Sequence, residues 1–173
     1  MYYASSVESA GPPDPEDPYR LKRFIRTHKV HFPTALGEIE RGRKCSCWSW
    51  YIFPTAPWVV GGVERGSSTN QRYALRDLAP HTDRGDDAAK AYLRFPESDD
   101  GVNLRANYLA IVRAVTHQVK EKGVRPLDLV GFLDDPKMRS SLKLFERVSR
   151  GFDEEVHGAT AECLEACKEP PDP

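Results

Sequence analysis

Between Asp100 and Gly123 runs a stripe of apolar side chains, Leu104, Tyr108, Ile111, Val112, Val115 and Val119, spaced by three and four residues. That period belongs to one face of an α-helix and not to a strand. One amphipathic helix needs others to cover it, and the rest of the chain supplies them. Asp17 followed by Pro18 reads as an N-cap with proline at the first helical position, leading Leu21, Phe24, Ile25 and His28 along one face. Pro33 is expected to end or restart that helix, with Ala35, Leu36 and Ile39 making a second short face that stops at Gly42. Ser67 or Ser68 can cap a helix bearing Tyr73, Ala74 and Leu78. Asp83 or Asp86 can cap another bearing Ala88, Ala91, Tyr92 and Leu93, halted by Pro96. The Asp100–Gly123 helix is the longest expected. After it come a short helix from Pro126 to Phe132, then one opened by Asp135 and Pro136 with Met138, Leu142, Phe145 and Val148. A last helix from Asp153 to Cys167 carries Val156, Ala159 and Cys163.

Strand signals are nearly absent, with no Asn-Gly turn and no alternating β-branched run. Two stretches resist the helical period. Cys45 to Phe53 is dense in aromatics (Trp48, Trp50, Tyr51, Phe53) and reads as a buried strand or an irregular buried segment; Pro54 to Gly66 reads as a loop. At 173 residues the length suits one domain, and no solenoid period repeats in it. The expected architecture is therefore all-α, a single compact multi-helix domain of seven or eight helices with an irregular aromatic-rich segment. Residues 1–17, with four acids, three prolines and no basic side chain, read as a flexible leader; 18–167 as the domain; and 168–173, half proline, as a flexible tail.

The formal charge of −1 excludes a generally basic nucleic-acid binder, and no specific nucleic-acid partner is expected. No apolar run approaches the roughly 18 residues of a membrane span, so no membrane partner is expected. The first ten residues lack the basic start and apolar centre of a secretory signal, and a cytoplasmic location is the expectation. Cys45, Cys47, Cys163 and Cys167 form two close pairs that could give a zinc tetrahedron, but neither spacing is a Cys-x-x-Cys knuckle and reduced thiols are favoured. The sequence points to no metal and no cofactor. It holds no nucleophile elbow, Walker loop, dinucleotide glycine fingerprint or His-Glu-x-x-His, so no catalytic residue can be assigned. Cys47 beside Arg43 or Lys44 could be an activated thiol, without an evident base.

Charge is segregated beneath the neutral total. Tyr19 to Trp50 holds eight basic against two acidic residues; Asp153 to Pro173 holds seven acids against Lys168. Arg43 and Lys44 stand next to Trp48 and Trp50, and cations beside indole rings suit an anionic ligand with a flat ring. Lys137, Arg139, Ser140 and Ser141 lie at an expected helix start, where free N–H groups attract anions. These eight residues are the candidate binding site.

The run Gly42-Arg43-Lys44-Cys45-Ser46-Cys47-Trp48-Ser49-Trp50-Tyr51-Ile52-Phe53-Pro54 resembles the signature of a bacterial family of unknown function, often labelled calpastatin-like, whose motif reads Gly-Arg-Lys-x-Ser-His-Trp-Met-Trp-Phe-x-Phe-Pro-Gln. Tyr19 to Phe24, Arg72 to Leu75, and Asp135 to Phe145 match further segments in order. The resemblance spans Tyr19 to about Gly158 and implies an all-helical fold with no settled activity. The family's His falls here at Cys47, its Gln after Phe-Pro at Thr55, and the Gln of its first helix at His28; the loop around Trp58 is longer than the family pattern.

Two functions follow as expectations. One is a pocket for an anionic, nucleotide-like small molecule, with hydrolase or glycosidase chemistry as the class to test first. The other is a non-catalytic interaction or regulatory module whose basic face meets an acidic protein partner.

Overall fold

The structure is a computed structural model describing Pro12 and residues 14–168; the expected leader up to residue 11 and the tail from residue 169 lie outside the described residues. Its elements are α1 (Lys22–Glu40), α2 (Ser49–Ile52), β1 (Val59–Val60), β2 (Val63–Glu64), α3 (Ser68–Arg72), α4 (Asp86–Arg94), α5 (Leu104–Lys120), α6 (Pro126–Val130), α7 (Asp135–Ser149) and α8 (Glu154–Ala166). The architecture is all-α, one compact domain with a single two-stranded ribbon among the described residues. The apolar stripe of α5 buries Leu104, Tyr108, Ile111, Val112 and Val115, and the helix packs against α1, α4, α6 and α8. At the centre Tyr92, Tyr108 and Phe145 meet edge-on or tilted with centroids 4.2–6.4 Å apart, and Phe24 closes on Tyr92 at 5.4 Å. Among the described residues no helix is long and apolar enough to cross a membrane.

Several boundaries differ from the sequence reading. Helix α1 runs unbroken through Pro33 and, at 19 residues, is longer than α5 with 17. Proline removes one backbone donor, but Pro33 lies on the exposed side while Ala35 and Ile39 anchor the next turn in the core. The aromatic segment is a loop that tightens into the single turn of α2, and the α3 helix ends at Arg72, before Tyr73, Ala74 and Leu78. The ribbon β1–β2 is a true hairpin: Gly61 and Gly62 take φ of 58° and 77°, the two consecutive left-handed residues that a tight turn requires.

Caps also come from farther away than sequence spacing suggests. Asp17 accepts from the backbone N–H groups of Leu21 and Lys22, four and five residues on. Helix α4 is capped by neither Asp83 nor Asp86 but by Asp77, buried, whose two oxygens accept from Asp86 N–H (3.1 Å) and Ala88 N–H (2.9 Å). Gly85 makes this reach possible, with φ of 72° and a Cβ position 2.7 Å from the Leu75 carbonyl oxygen and 2.9 Å from Ala56 Cβ. Gly85→Ala should therefore destabilise by about 2 kcal/mol in urea unfolding, combining left-handed strain with backbone overlap.

The segregated charge is largely reconciled inside the fold. The acids of α8 face the cations of α5: Arg105 pairs with Asp153 and Glu155, Arg113 with Glu155, and Lys120 with Glu162. From the basic stretch, Lys22 pairs with Asp14 and Lys29 with Asp100. Arg23 donates to the carbonyls of Tyr19, Arg20, Arg72 and Ala74, tying α1 to the end of α3.

Candidate functional site

The signature run is organised by a residue outside it. Glu38, buried near the end of α1, accepts hydrogen bonds from Cys45 N–H (2.8 Å), Ser46 N–H (3.1 Å), the Ser46 hydroxyl and Trp48 Nε1–H (2.7 Å). Burial opposes its charge, but the donors of Ser46, Cys45 and Trp48 outweigh it and hold the carboxyl at about 2. The chain reverses direction at Gly42, φ 86°, and wraps this anion. Trp48 is 1% exposed, so its ring is core and presents no open face to a ligand; Trp50 is half-buried against the same core. Cys45 and Cys47 ride the outside of the loop as free, exposed thiols, whereas Cys163 on α8 and Cys167 just past its end are buried. Among the described residues no three His, Cys, Asp or Glu side chains gather as a metal site.

Lys44 joins the signature run to the second motif. Its ammonium lies 2.7 Å from the Asp134 carboxylate, donates to the Ser46 carbonyl at 2.6 Å and stands 5.0 Å over the Trp48 ring. Its backbone N–H donates to the Leu129 carbonyl at 2.7 Å, so α6 and the start of α7 are pinned to the loop. Three residues after Asp134, Lys137 reaches across to the other side of the signature. It donates to Asn70 Oδ1 (2.8 Å) and lies 3.5 Å from Thr55 Oγ1. Both partners are neutral. Burial lowers its pKa to about 8, with the nearby Asp134 carboxylate opposing.

The other sequence-derived candidates diverge from this point. Arg139 turns toward α8, pairing with Asp135 at 2.8 Å and donating to the Cys167 carbonyl at 2.7 Å. Asp135 keeps its second oxygen buried and without a hydrogen-bond partner. With Asp134 and Asp135 both at the start of α7, its positive end is already faced by carboxylates. Ser141 is buried, 3.1 Å from the Tyr108 hydroxyl, while Ser140 and Arg43 are exposed. The structure thus places Lys44 on Asp134 and Lys137 against Asn70 and Thr55, with the Asp134 carboxylate close enough to act on the Lys137 charge. A cleft of about 320 Å³ between α5 and α8, lined by Arg113, His117, Lys120, Glu155 and Glu162 among others, contains none of the eight.

Glu38 and Asn70 carry no signal in the sequence as site residues, because no local spacing marks partners 7 to 67 residues away. His28 is the other polar residue the sequence left open. It is buried, its Nε2–H donates to the Tyr51 carbonyl at 2.8 Å, and its Nδ1 accepts from Asn107 Nδ2 at 3.1 Å. Burial depresses its pKa to about 4 against the opposing Tyr51 hydrogen bond, so the ring is neutral at pH 7.

The crystal structure of the conserved hypothetical protein Rv1873 from Mycobacterium tuberculosis superposes with a TM-score of 0.64, covering 87% of this chain and 91% of that one at 23% identity. At that identity the likeness shows the fold. No curated protein matches the sequence. Residues 18–165 match the family model described as Protein of unknown function (DUF1810), a span that holds the Glu38 clasp, the Lys44–Asp134 joint and Lys137, and the chain belongs to that family.

Proposed function

We propose that this protein binds a small oxyanion, nucleotide-like or otherwise phosphorylated, at Lys137, with Thr55 and Asn70 lining the contact and Lys44 supplying a second positive charge. One observation carries the reading: Lys137 is a mostly buried ammonium with only neutral acceptors, while Lys44 and Arg139 already have carboxylates. A desolvated cation without a paired anion favours one from solution. Hydrolase or glycosidase use of the site would draw on the same amine, which near pH 8 is present both as base and as acid. The remaining candidates fall into supporting roles in this reading: Trp48 under Lys44, Trp50 half-buried on the core, Ser141 within the core.

Inorganic phosphate, adenosine monophosphate and glucose 6-phosphate are the probes. At a hundred times Kd a ligand stabilises by about 2.7 kcal/mol, which raises Tm by about 5–10 °C for a domain of this length. The expected result is a shift with at least one probe, lost in Lys137→Gln and kept in Arg139→Gln. No shift with any of them, or an unchanged shift in Lys137→Gln, removes Lys137 as the site.

The second reading, a non-catalytic interaction module, is supported by Phe132 and Leu133. They are 80% and 85% exposed in the α6–α7 turn, which is flanked on either side by the Lys44 contacts to Leu129 and Asp134. Adjacent exposed apolar side chains mark contact surfaces more often than isolated ones do, and Arg43, exposed on the adjoining loop, would meet an acidic partner there.

A further inference from the structure

The β1–β2 ribbon carries a surface that neither reading uses. In an antiparallel pair, directly opposed residues share one face and successive residues alternate. Val59 opposes Glu64, Val60 opposes Val63, and Arg65 N–H donates to the Trp58 carbonyl at 2.7 Å, which places Trp58 opposite Arg65. One face therefore carries Val59 and Glu64, and the other Trp58, Val60, Val63 and Arg65. The first face is the less exposed, with Val59 at 37% and Glu64 held by Arg76 through two bonds of 2.8 Å. The second is bare: Trp58 is 59% exposed, Val60 50% and Val63 54%.

The ribbon's root is fixed while its tip is open. Pro54 and Pro57 are buried, Leu75 N–H donates to the Thr55 carbonyl at 2.8 Å, and Ala56 packs at Gly85. Nothing lies within 4 Å of the Cβ positions of Gly61 and Gly62 at the turn. From Pro54 to Val63 there is no charged side chain; Glu64 is neutralised by Arg76, and Arg65 is the next charge.

We propose that this ribbon is a membrane-surface anchor, with Trp58, Val60 and Val63 entering the interface of an anionic bilayer and Arg65 meeting lipid phosphate. Tryptophan is enriched at the headgroup level, where its apolar body and polar N–H both find partners. A protruding uncharged tip with a cation at its collar matches an anionic bilayer in charge and in depth. A second copy of the chain fits less well, because three side chains fall far short of the roughly 20–30 residues a side that a standard interface uses. The anchor is a single element, so the binding it gives is weak and reversible.

The test uses the full chain with phosphatidylcholine vesicles, prepared with and without phosphatidylserine. Trp48 is in the core and Trp50 half-buried, so a lipid-induced move of tryptophan emission to shorter wavelength reports Trp58. Expected are co-sedimentation and a blue shift with the phosphatidylserine vesicles, abolished in Trp58→Ala and weakened about fivefold in Arg65→Ala. Both substitutions sit on exposed side chains, so unchanged urea midpoints will show that the variants are folded. Absence of binding, equal binding to both vesicle types, or full binding by Trp58→Ala each overturns the proposal. So does a Trp58-dependent increase in molecular size without lipid, which would assign the face to self-association.

Discussion

Glu38→Ala is expected to lower the free energy of unfolding by about 4 kcal/mol, measured as a fall in urea midpoint at unchanged slope. The carboxylate is the common acceptor for Cys45, Ser46 and Trp48. Removing it leaves the Trp48 indole N–H buried without an acceptor, at about 1–3 kcal/mol, and removes charge-assisted bonds worth about 1.5–3 kcal/mol each. The loop N–H groups recover part of this from water, since Cys45 and Ser46 are exposed. Glu38→Gln should cost about half as much, because the carboxamide keeps one acceptor but turns donors toward donors. A readout specific to the clasp accompanies the loss. Lys44 should separate from Asp134, so the Asp134→Asn penalty measured in Glu38→Ala will be smaller than in the wild type. Equal penalties in the two backgrounds would show that the clasp and the joint are independent. The sign with pH is also fixed: Glu38 has a folded pKa near 2 against an ordinary value of 4.5, so its stabilisation is present above 4.5 and is lost as pH falls from 4.5 toward 2.

The clasp also shows which parts of this molecule could be read along the chain. Periodicity located α7 and α8 within a residue or two and α5 within three or four, since each buries one face on neighbours and the apolar spacing records that face. Ser67 was legible as a cap because its partner, the Asn70 N–H, is three residues on. Asp77 was not, because its cap reaches nine and eleven residues across a turn that only Gly85 permits. The candidate site divides in the same way. The residue types of the signature run drew attention to Lys44 and Trp48, but what they do depends on Glu38 and Asp134, whose relation to the run is set by packing. Counting charge in segments could not tell cations that are paired, such as Lys44, from one that is not, such as Lys137. The Gly61-Gly62 turn was a missed local signal: it is a hairpin sequence as informative as Asn-Gly.

Replacing His28 by glutamine should remove most of the protein's loss of stability between pH 6.5 and 4. The folded pKa, about 4, lies below the ordinary 6.5, so the unfolded chain takes up the proton first. Its contribution is fully present above pH 6.5 and is lost as pH falls through that value toward 4, by about 2 kcal/mol at pH 5 and about 3 kcal/mol at pH 4. The cause is local: the ring is surrounded by Tyr92, Phe32 and the Tyr51 backbone, and a second ring proton would find Asn107 Nδ2, itself a donor, instead of an acceptor. Glutamine can keep both bonds, its amide N–H on the Tyr51 carbonyl and its oxygen accepting from Asn107, and it does not titrate. At pH 7 the variant should therefore lie within about 1 kcal/mol of the wild type, as a volume-conserving polar exchange with its hydrogen bonds kept. Urea unfolding of both proteins from pH 7.5 to 4 separates this from general acid destabilisation, since Glu38 titrates lower and is common to both. Parallel curves would mean that His28 is not the group lost, whereas curves that converge near pH 7 and part below 6.5 identify it. The site asks for one donor and one acceptor, and histidine meets the demand only while it stays neutral.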